Sequence, residues 1–589
     1  MVARPSLTRA PHATSERERQ LLRFCRTVRH VPLGQLAARS RSLALRRLYQ
    51  VVPRWPLVVA ARGAVATRPA APLPALPLAL IVPDGIERAR RRAAEVACNR
   101  FTYVGRTLDL SLHELWGGAH VSPLWTFNLQ YLGALTDLVL AEQLPVAREL
   151  LASWCAAYRE TFDPVAWHPY PVSQRLINLC LAAEVAGDFS ALGEGTVELT
   201  ARHSAYLLSH LEYDLRGNHL LENACALLFA ATHLQGPLAE ACGASARHLL
   251  ARELPTQVLA DGAHFELSPM YHAIVLHRLL QVIALLGVHD PLVRNVVAPA
   301  ARRMSAFLAS ILCPDGDLPL LGDSVRSYAP PPTSLLEAAV HYGVYRSPSD
   351  GPVVSHKASG LHVLRNQRLW AIFDAGPVCA PSLPGHGQAD SLTVEVWCDG
   401  MCVVGDPGVH DYTGPLRAWG RSSRAHSTIT VNDANTSEVY ASFRVGGRAA
   451  VLNVTATDTA VEATIAPFGH DARLTRSMRL GGAGTLELRD TARIASGDVA
   501  RSRLHLHPEV TLLGYTSPAK DAVVVRTPVG HVSIQARHRI EIEPARASRR
   551  YGAAEPTTIL VQTLGPTAGA EVTASYAIRP VNVPARESH

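Results

Sequence analysis

Lysine is almost missing from this chain: among 589 residues it occurs only at Lys357 and Lys520, and the rest of the basic charge is arginine. The formal net charge is +7. A basic balance suits an anionic partner, which leaves nucleic acid, a membrane surface or an acidic polysaccharide open. No Lys/Arg run is dense enough to favour nucleic acid. Long hydrophobic runs are also missing. Leu73 to Val82 is apolar but short, and Pro72, Pro74, Pro77 and Pro83 interrupt or flank it, so no membrane partner is expected. The start, Met1-Val2-Ala3-Arg4 running to Ser15-Glu16-Arg17-Glu18-Arg19, has no apolar segment behind its first basic residue. A standard secretory signal is therefore not expected, and the cytoplasm is the default, with the periplasm or secretion by another route as the alternative.

The cysteines show no framework. Cys25, Cys98, Cys155, Cys180, Cys225, Cys242, Cys313, Cys379, Cys398 and Cys402 are scattered, mostly in apolar surroundings, as buried free thiols are. Cys398 and Cys402 read as facing strands of one hairpin, where a local bridge is open. No exact internal repeat is visible. What is present is globular: 48% hydrophobic and 18% charged residues, in a chain long enough for two or more cores.

Three regions follow from texture. Residues 1–115 are rich in Arg and Pro, with short helices around 16–50 and a long loop at 63–86. Residues 116–350 are helical by period, with helices expected at 124–141, 145–161, 173–186, 199–211, 220–233, 237–253, 269–286 and 291–313. Helices of similar length with short connections imply packed antiparallel hairpins, in a bundle, a solenoid or an α/α toroid. Residues 351–589 alternate, with short strands closed by turns such as Cys398-Asp399-Gly400, which implies antiparallel sheets. The fold class is α+β multidomain, helices first and a β-sandwich after, with a cleft between them.

Polar residues cluster at two expected helix starts. Gly217-Asn218-His219-Leu220-Leu221-Glu222-Asn223 places Asn218 as a natural N-cap, with His219, Glu222 and Asn223 in the first two turns. A structural helix needs one cap, not four polar groups. In Asp261 to His272, Asp-Gly makes a turn, Ser268 caps and Pro269 opens a helix, and Tyr271 and His272 fall in its first turn. Such a terminus can hold a carboxylate or help a tyrosine ionise. His264 and Glu266 alternate on the segment before it. Trp167-His168-Pro169-Tyr170 precedes a helix carrying Gln174 and Arg175, a mix that suits a sugar ring and its carboxylate. In the β region, polar loops at His386-Gly387-Gln388, at Asp406 and at Arg421-Ser422-Ser423-Arg424-Ala425-His426 flank consecutive strands.

These stretches, with Leu124 to Tyr131, resemble the heparinase II/III superfamily of polysaccharide lyases, in order, from about 120 to 440. The resemblance implies an α/α toroid followed by antiparallel β-sheets. It implies that Asn218, with His219, neutralises a uronate carboxylate, that Tyr271 is base and acid, and that His386 is a second acid/base. Trp167, Tyr170, Arg175, Glu222, His264, Glu266 and Arg424 are then supporting or substrate-binding residues. Gln388, Asp406 and His426 fall where members with a structural divalent metal (Zn, Mn or Ca) place ligands. There the family commonly has His-x-His, and Gln388 offers only an amide oxygen, so His426 lining the site is the alternative. The implied substrate is an anionic polysaccharide: a glycosaminoglycan such as hyaluronan, chondroitin sulfate or heparan sulfate, or a bacterial exopolysaccharide. β-Elimination removes the C5 proton of a uronate and expels the C4 oxygen, so charge developing on the carboxylate must be stabilised. A glycoside hydrolase needs two flanking carboxylates, for which Glu222 and Glu266 are the pair. A non-catalytic polysaccharide-binding protein is the third reading.

Overall fold

The structure, a computed structural model, describes residues 16–117, 122–565 and 571–581. The stretch 1–15, read above for a leader, lies outside the described residues.

The helical half is a ring of hairpins with an inner and an outer layer. The inner helices are Ala134–Leu140, Pro169–Ala186, Gly217–His233 and Pro269–Leu286, which pack one against the next. They are apolar nearly all round because they are covered on nearly every side. Each is followed by an outer helix packed on it: Leu144–Tyr158, Thr196–Ser209, Pro237–Gln257 and Ala298–Ile311. The ring closes through residues that the sequence places in an N-terminal extension. The short helix Leu78–Ile81 meets Pro269–Leu286 and Pro332–His341, while Ile86–Ala97 packs on Ala134–Leu140. The Leu80 carbonyl accepts from Gln281 Nε2 at 2.8 Å and lies 2.9 Å from His277 Nε2. Leu57, Ala60, Leu80, Ala93 and Phe101 share one apolar core with the ring. This is the α/α toroid.

Two expected helices are broken. The span 124–141 divides into Pro123–Gln130 and Ala134–Leu140, because Leu132 turns left-handed (φ +53°) ahead of Gly133. The span 291–313 begins as a π-helical turn, Val293–Val297, before Ala298–Ile311. Pro299 has no N–H to continue the regular hydrogen-bond ladder there.

The second half holds three main antiparallel sheets. One runs Val353–His356, Leu361–Arg365, Leu369–Asp374, Val394–Cys398, Met401–Val404. The second orders Ile429–Val431, Ala500–His505, Glu555–Leu564, Glu541–Ala547. The third has eight strands, beginning Ala450–Ala456, Ala460–Ala466, Arg473–Leu480, Leu486–Arg493. Inward residues of all three, such as Phe373, Leu504 and Leu488, form one core, as in a sandwich. Cys398 faces that core, whereas Cys402 faces a separate apolar cluster with Trp370 and Trp397. The two thiols therefore sit on opposite sides of the sheet, and both are free.

A buried ion pair pins the sheets together. Arg476 is fully buried, binds Asp490 through two bonds of 2.7 Å, and donates to the carbonyls of Leu392 and Ser427 on the facing layer. Arg476→Met leaves the Asp490 carboxylate buried without its cation. This substitution is expected to cost about 3–5 kcal/mol, read as a lowered denaturant midpoint.

Candidate active site

The two helix starts singled out in the sequence are joined by one carboxylate. Asn218 does not cap its helix. The cap position is Arg216, without a side-chain cap bond, and Asn218 lies inside the first turn. The missing cap is supplied from afar. Glu266 accepts from the Asn218 backbone N–H at 2.8 Å and from Asn218 Nδ2 at 2.7 Å. Gly217 is required for this approach: its φ is +56°, and a Cβ there would lie 1.9 Å from Glu266 Oε1. Asn218 Oδ1 stays buried without a partner.

His219 stands beside this pair, with Nδ1 2.9 Å from Glu212 Oε1 and its ring 4.4 Å from that of Tyr170. Burial works against its charge, but the Glu212 carboxylate outweighs burial and the imidazole pKa is raised.

Ser268 caps the second helix as expected, accepting from the Tyr271 N–H at 3.3 Å. Tyr271 stacks on His386 with ring centroids 3.9 Å apart, and its hydroxyl lies 2.8 Å from that of Tyr412. Tyr412 in turn lies 2.9 Å from the Tyr551 hydroxyl. Burial, then the phenols of Tyr551 and Tyr328, push the Tyr271 pKa well above the ordinary value, so it rests as a neutral phenol.

His386 comes from the β half. Its Nδ1 lies 3.0 Å from Asp323 Oδ2, and its Nε2 lies 3.4 Å from Glu266 Oε2. Asp323 is gripped at both oxygens by Arg417 and also accepts from Gln388 Nε2 at 2.9 Å. Burial alone would raise the Asp323 carboxyl; Arg417 and His386 overcome that and hold it below the usual carboxylate range. Glu266 is likewise lowered, with burial opposed by His386, His264 and the Asn218 bonds.

The structure thus gathers Asn218, His219, Glu266, Tyr271, His386 and Tyr170. Glu222 lies behind them, accepting from Gln174 at 2.9 Å and Arg278 at 2.8 Å, with Oε1 unpartnered. Four nominated residues fall elsewhere. Trp167 is 1% exposed and stacks on His203, so it is packing, not a sugar platform. Arg175 is fully buried and spends itself on His203 and on the carbonyls of Gln130 and Ala166. His264 is buried, 3.1 Å from Gln257 Oε1, and burial lowers its pKa to about 4. Arg424 is exposed, near Glu543. Asp323, Arg417, Tyr412 and Glu212 escaped the sequence reading. Each is a lone residue with no local pattern around it.

The nominated metal donors behave unequally. Asp406 Oδ2 and His426 Nδ1 lie 2.8 Å apart and bond to each other. His426 is fully buried. Gln388 commits its amide nitrogen to Gly322 O and Asp323. Two acceptors remain buried without a partner, Gln388 Oε1 and His426 Nε2. Among the described residues no three His, Cys, Asp or Glu side chains converge as metal ligands.

Comparison with known proteins agrees with this architecture. The sequence profile of the heparinase II/III N-terminus matches residues 158–337, and that of the heparinase II/III-like C-terminal domain matches 348–575. A heparin-sulfate lyase of Pedobacter heparinus is 28% identical over 306 residues, covering 46% of this chain and 45% of that protein. One from Bacteroides stercoris is 25% identical over 296 residues, covering 46% and 44%. The match therefore spans under half the length of these curated relatives. Among solved structures, heparinase III superposes with a TM-score of 0.68 at 16% identity, over 93% of this chain and 92% of that one. A heparan sulfate lyase mutant from Pedobacter heparinus gives 0.57 at 19% identity, over 84% and 83%. At these identities the structural likeness speaks for the fold. Two consecutive family domains, in the right order over a toroid and a sandwich, place the chain: it belongs to the heparinase II/III family.

Proposed function

We propose that this chain is a polysaccharide lyase that cleaves a uronate-containing polysaccharide by β-elimination. The observation that carries the reading is the Tyr271–His386 stack at 3.9 Å, adjoining Asn218 and His219 through Glu266. In this reading the uronate carboxyl lies against Asn218 and His219. The second N–H of the Asn218 amide can donate to the carboxylate, and the His219 cation offsets the charge that develops on it. His386 takes the C5 proton at Nε2, with Asp323 accepting from Nδ1–H and fixing the ring. Tyr271, a phenol held neutral, gives its proton to the departing C4 oxygen. One C–H bond and one C–O bond break, and a 4,5 double bond forms. The hydrolase alternative is less supported, because Glu222 and Glu266 are both held by hydrogen bonds from neighbouring side chains.

The charge near the site supports a substrate with little or no sulfate. A cavity of about 660 Å³ is lined by Tyr131 and Tyr328, whose rings lie 5.9 Å from that of Tyr170 and 5.1 Å from that of Tyr551, respectively. Its charged lining is Arg88, Arg92 and Arg100 against Asp84, Glu95, Asp137, Asp315 and Asp317. Arg92 is itself paired with Asp84 and Asp137, and at the site Arg278 and Arg417 are bound to Glu222 and Asp323. Little cationic charge is left for sulfate groups, whereas tyrosines and the Asn128 and Asn178 amides suit sugar faces and hydroxyls.

The test is turnover on a panel of uronate polymers graded by sulfation, followed by the ultraviolet absorbance of the unsaturated product. Low-sulfate polymers are expected to be cleaved fastest, and Tyr271→Phe to abolish product; saturated reducing ends, or full activity of the variant, would sink the reading.

A pH profile tests His219. Its raised pKa means that the cation persists above the ordinary histidine value and is lost as pH rises through the raised one. Glu212→Gln removes that support, so the alkaline limb of kcat/KM is expected to move to lower pH. An unmoved limb assigns His219 no charge in the reaction.

Gln388, Asp406 and His426 are proposed to hold one hard divalent ion that braces the β half against Gly322 and Asp323, without a part in the proton transfers. Elemental analysis of purified protein is expected to find calcium or manganese, and Gln388→His to shift retention towards zinc. Protein free of metal in both forms would remove the proposal.

A further inference from the structure

The basic excess of the sequence is not in the cleft. Residues 1–65 carry 13 arginines against Glu16 and Glu18, whereas residues 66–589 carry 44 basic against 48 acidic side chains. The same segment also concentrates exposed apolar surface. Of 22 exposed large hydrophobic side chains among the described residues, 12 lie between Leu21 and Val65.

Three helices build this segment, and each docks by one face. Glu16–Val28 is held to the β half by Arg23 and Arg26 on Glu438 and by Thr27 on Tyr440. Its opposite side shows Leu21, Leu22 and Phe24 to solvent. Leu33–Val51 is held to the toroid by Gln35 on the Asp214 carbonyl and by Tyr49 on His210. Leu43, Leu48 and Val51 lie on its outer face. Trp55–Gly63 buries Leu57 and Ala60 and exposes Trp55, Val58 and Val59. Exposed arginines Arg39, Arg47 and Arg54 lie among these apolar residues. Three successive amphipathic helices thus turn apolar side chains outward although each has a covered face available.

We propose that these three helices form a docking face for an anionic phospholipid surface. Leucine, valine and tryptophan interleaved with arginine on one side of a helix is the composition of helices that lie in a lipid interface. The other occupants answer half of the pattern. An acidic polysaccharide would take the arginines but leave the aliphatic side chains in water. A second copy would cover the aliphatic side chains but bring two strongly cationic faces together. An anionic bilayer takes both, the apolar residues at the acyl boundary and the arginines at the headgroups.

The test is co-sedimentation of the full chain with vesicles of phosphatidylcholine alone or mixed with phosphatidylglycerol, at low and high salt. Two variants accompany it, R39E/R47E/R54E and L48S/W55S, each checked for an unchanged thermal midpoint. About tenfold stronger partition into the anionic vesicles is expected, weakened by salt and lost in both variants. Equal partition into both lipids, no partition at all, or variants that bind like the parent would overturn the proposal. So would a dimer, detected by light scattering, that L48S/W55S dissolves, since a second copy would then cover the face. None of these readings depends on turnover, so they stand apart from the lyase assignment.

Discussion

Asp323 is a buried carboxylate contributed by the helical half and neutralised by the β half. Burying a lone carboxylate costs several kcal/mol, and only a well-formed set of donors offsets it. Here the donors are Arg417 at both oxygens, Gln388, and Nδ1 of His386, all from beyond residue 350. The cost and its compensation come from different domains, so the arrangement exists only when the two halves are docked in register. His386 is oriented by the same contact, and through it so is the stack with Tyr271. Arg417 reaches further, donating to the Ser442 carbonyl at 2.9 Å in the loop before Arg444–Val445. That loop follows Glu438 and Tyr440, on which the first N-terminal helix rests. One carboxylate therefore ties domain docking, imidazole orientation and the N-terminal strap into a single network.

Much of this was legible in the sequence, and the illegible part has a common cause. Ser268-Pro269 read as a capped helix start because capping is local, and the Pro269–Leu286 helix has the expected bounds. The alternating strands at Leu369–Asp374 and Met401–Val404 read for the same reason. Ala500–His505 did not, since it is buried on both faces and carries Ser502 and Arg503 there, which no hydrophobic pattern announces. The site followed this rule. Asn218, Tyr271 and His386 sit in dense local motifs, but Asp323 and its cation are 94 residues apart and meet only in the fold. Arg175 and Trp167 mislead in the opposite sense. Both stand in a polar aromatic motif, yet the arginine satisfies carbonyls in the toroid wall and lies 4.2 Å from the centroid of the Trp154 ring. Asn218 resembled a cap by position, while the capping was done by Glu266, 48 residues away.

The distribution of charge changes what the overall basicity means. A net +7 read as a preference for an anionic substrate, but the body of the chain carries a slight acidic excess and the arginines at the site are already paired. In the proposed function, recognition of the uronate then falls to an amide and one imidazole, which is enough for a single carboxylate and too little for a polymer dense in sulfate. Tyr271, Tyr412 and Tyr551 form a chain of hydroxyls in which burial disfavours charge on each phenol. Opposite them His386 has its Nδ1 3.0 Å from Asp323 and its Nε2 3.4 Å from Glu266. In the proposed elimination the two stacked rings divide the reaction between them, Tyr271 as the proton donor and His386, oriented by Asp323, as the proton acceptor.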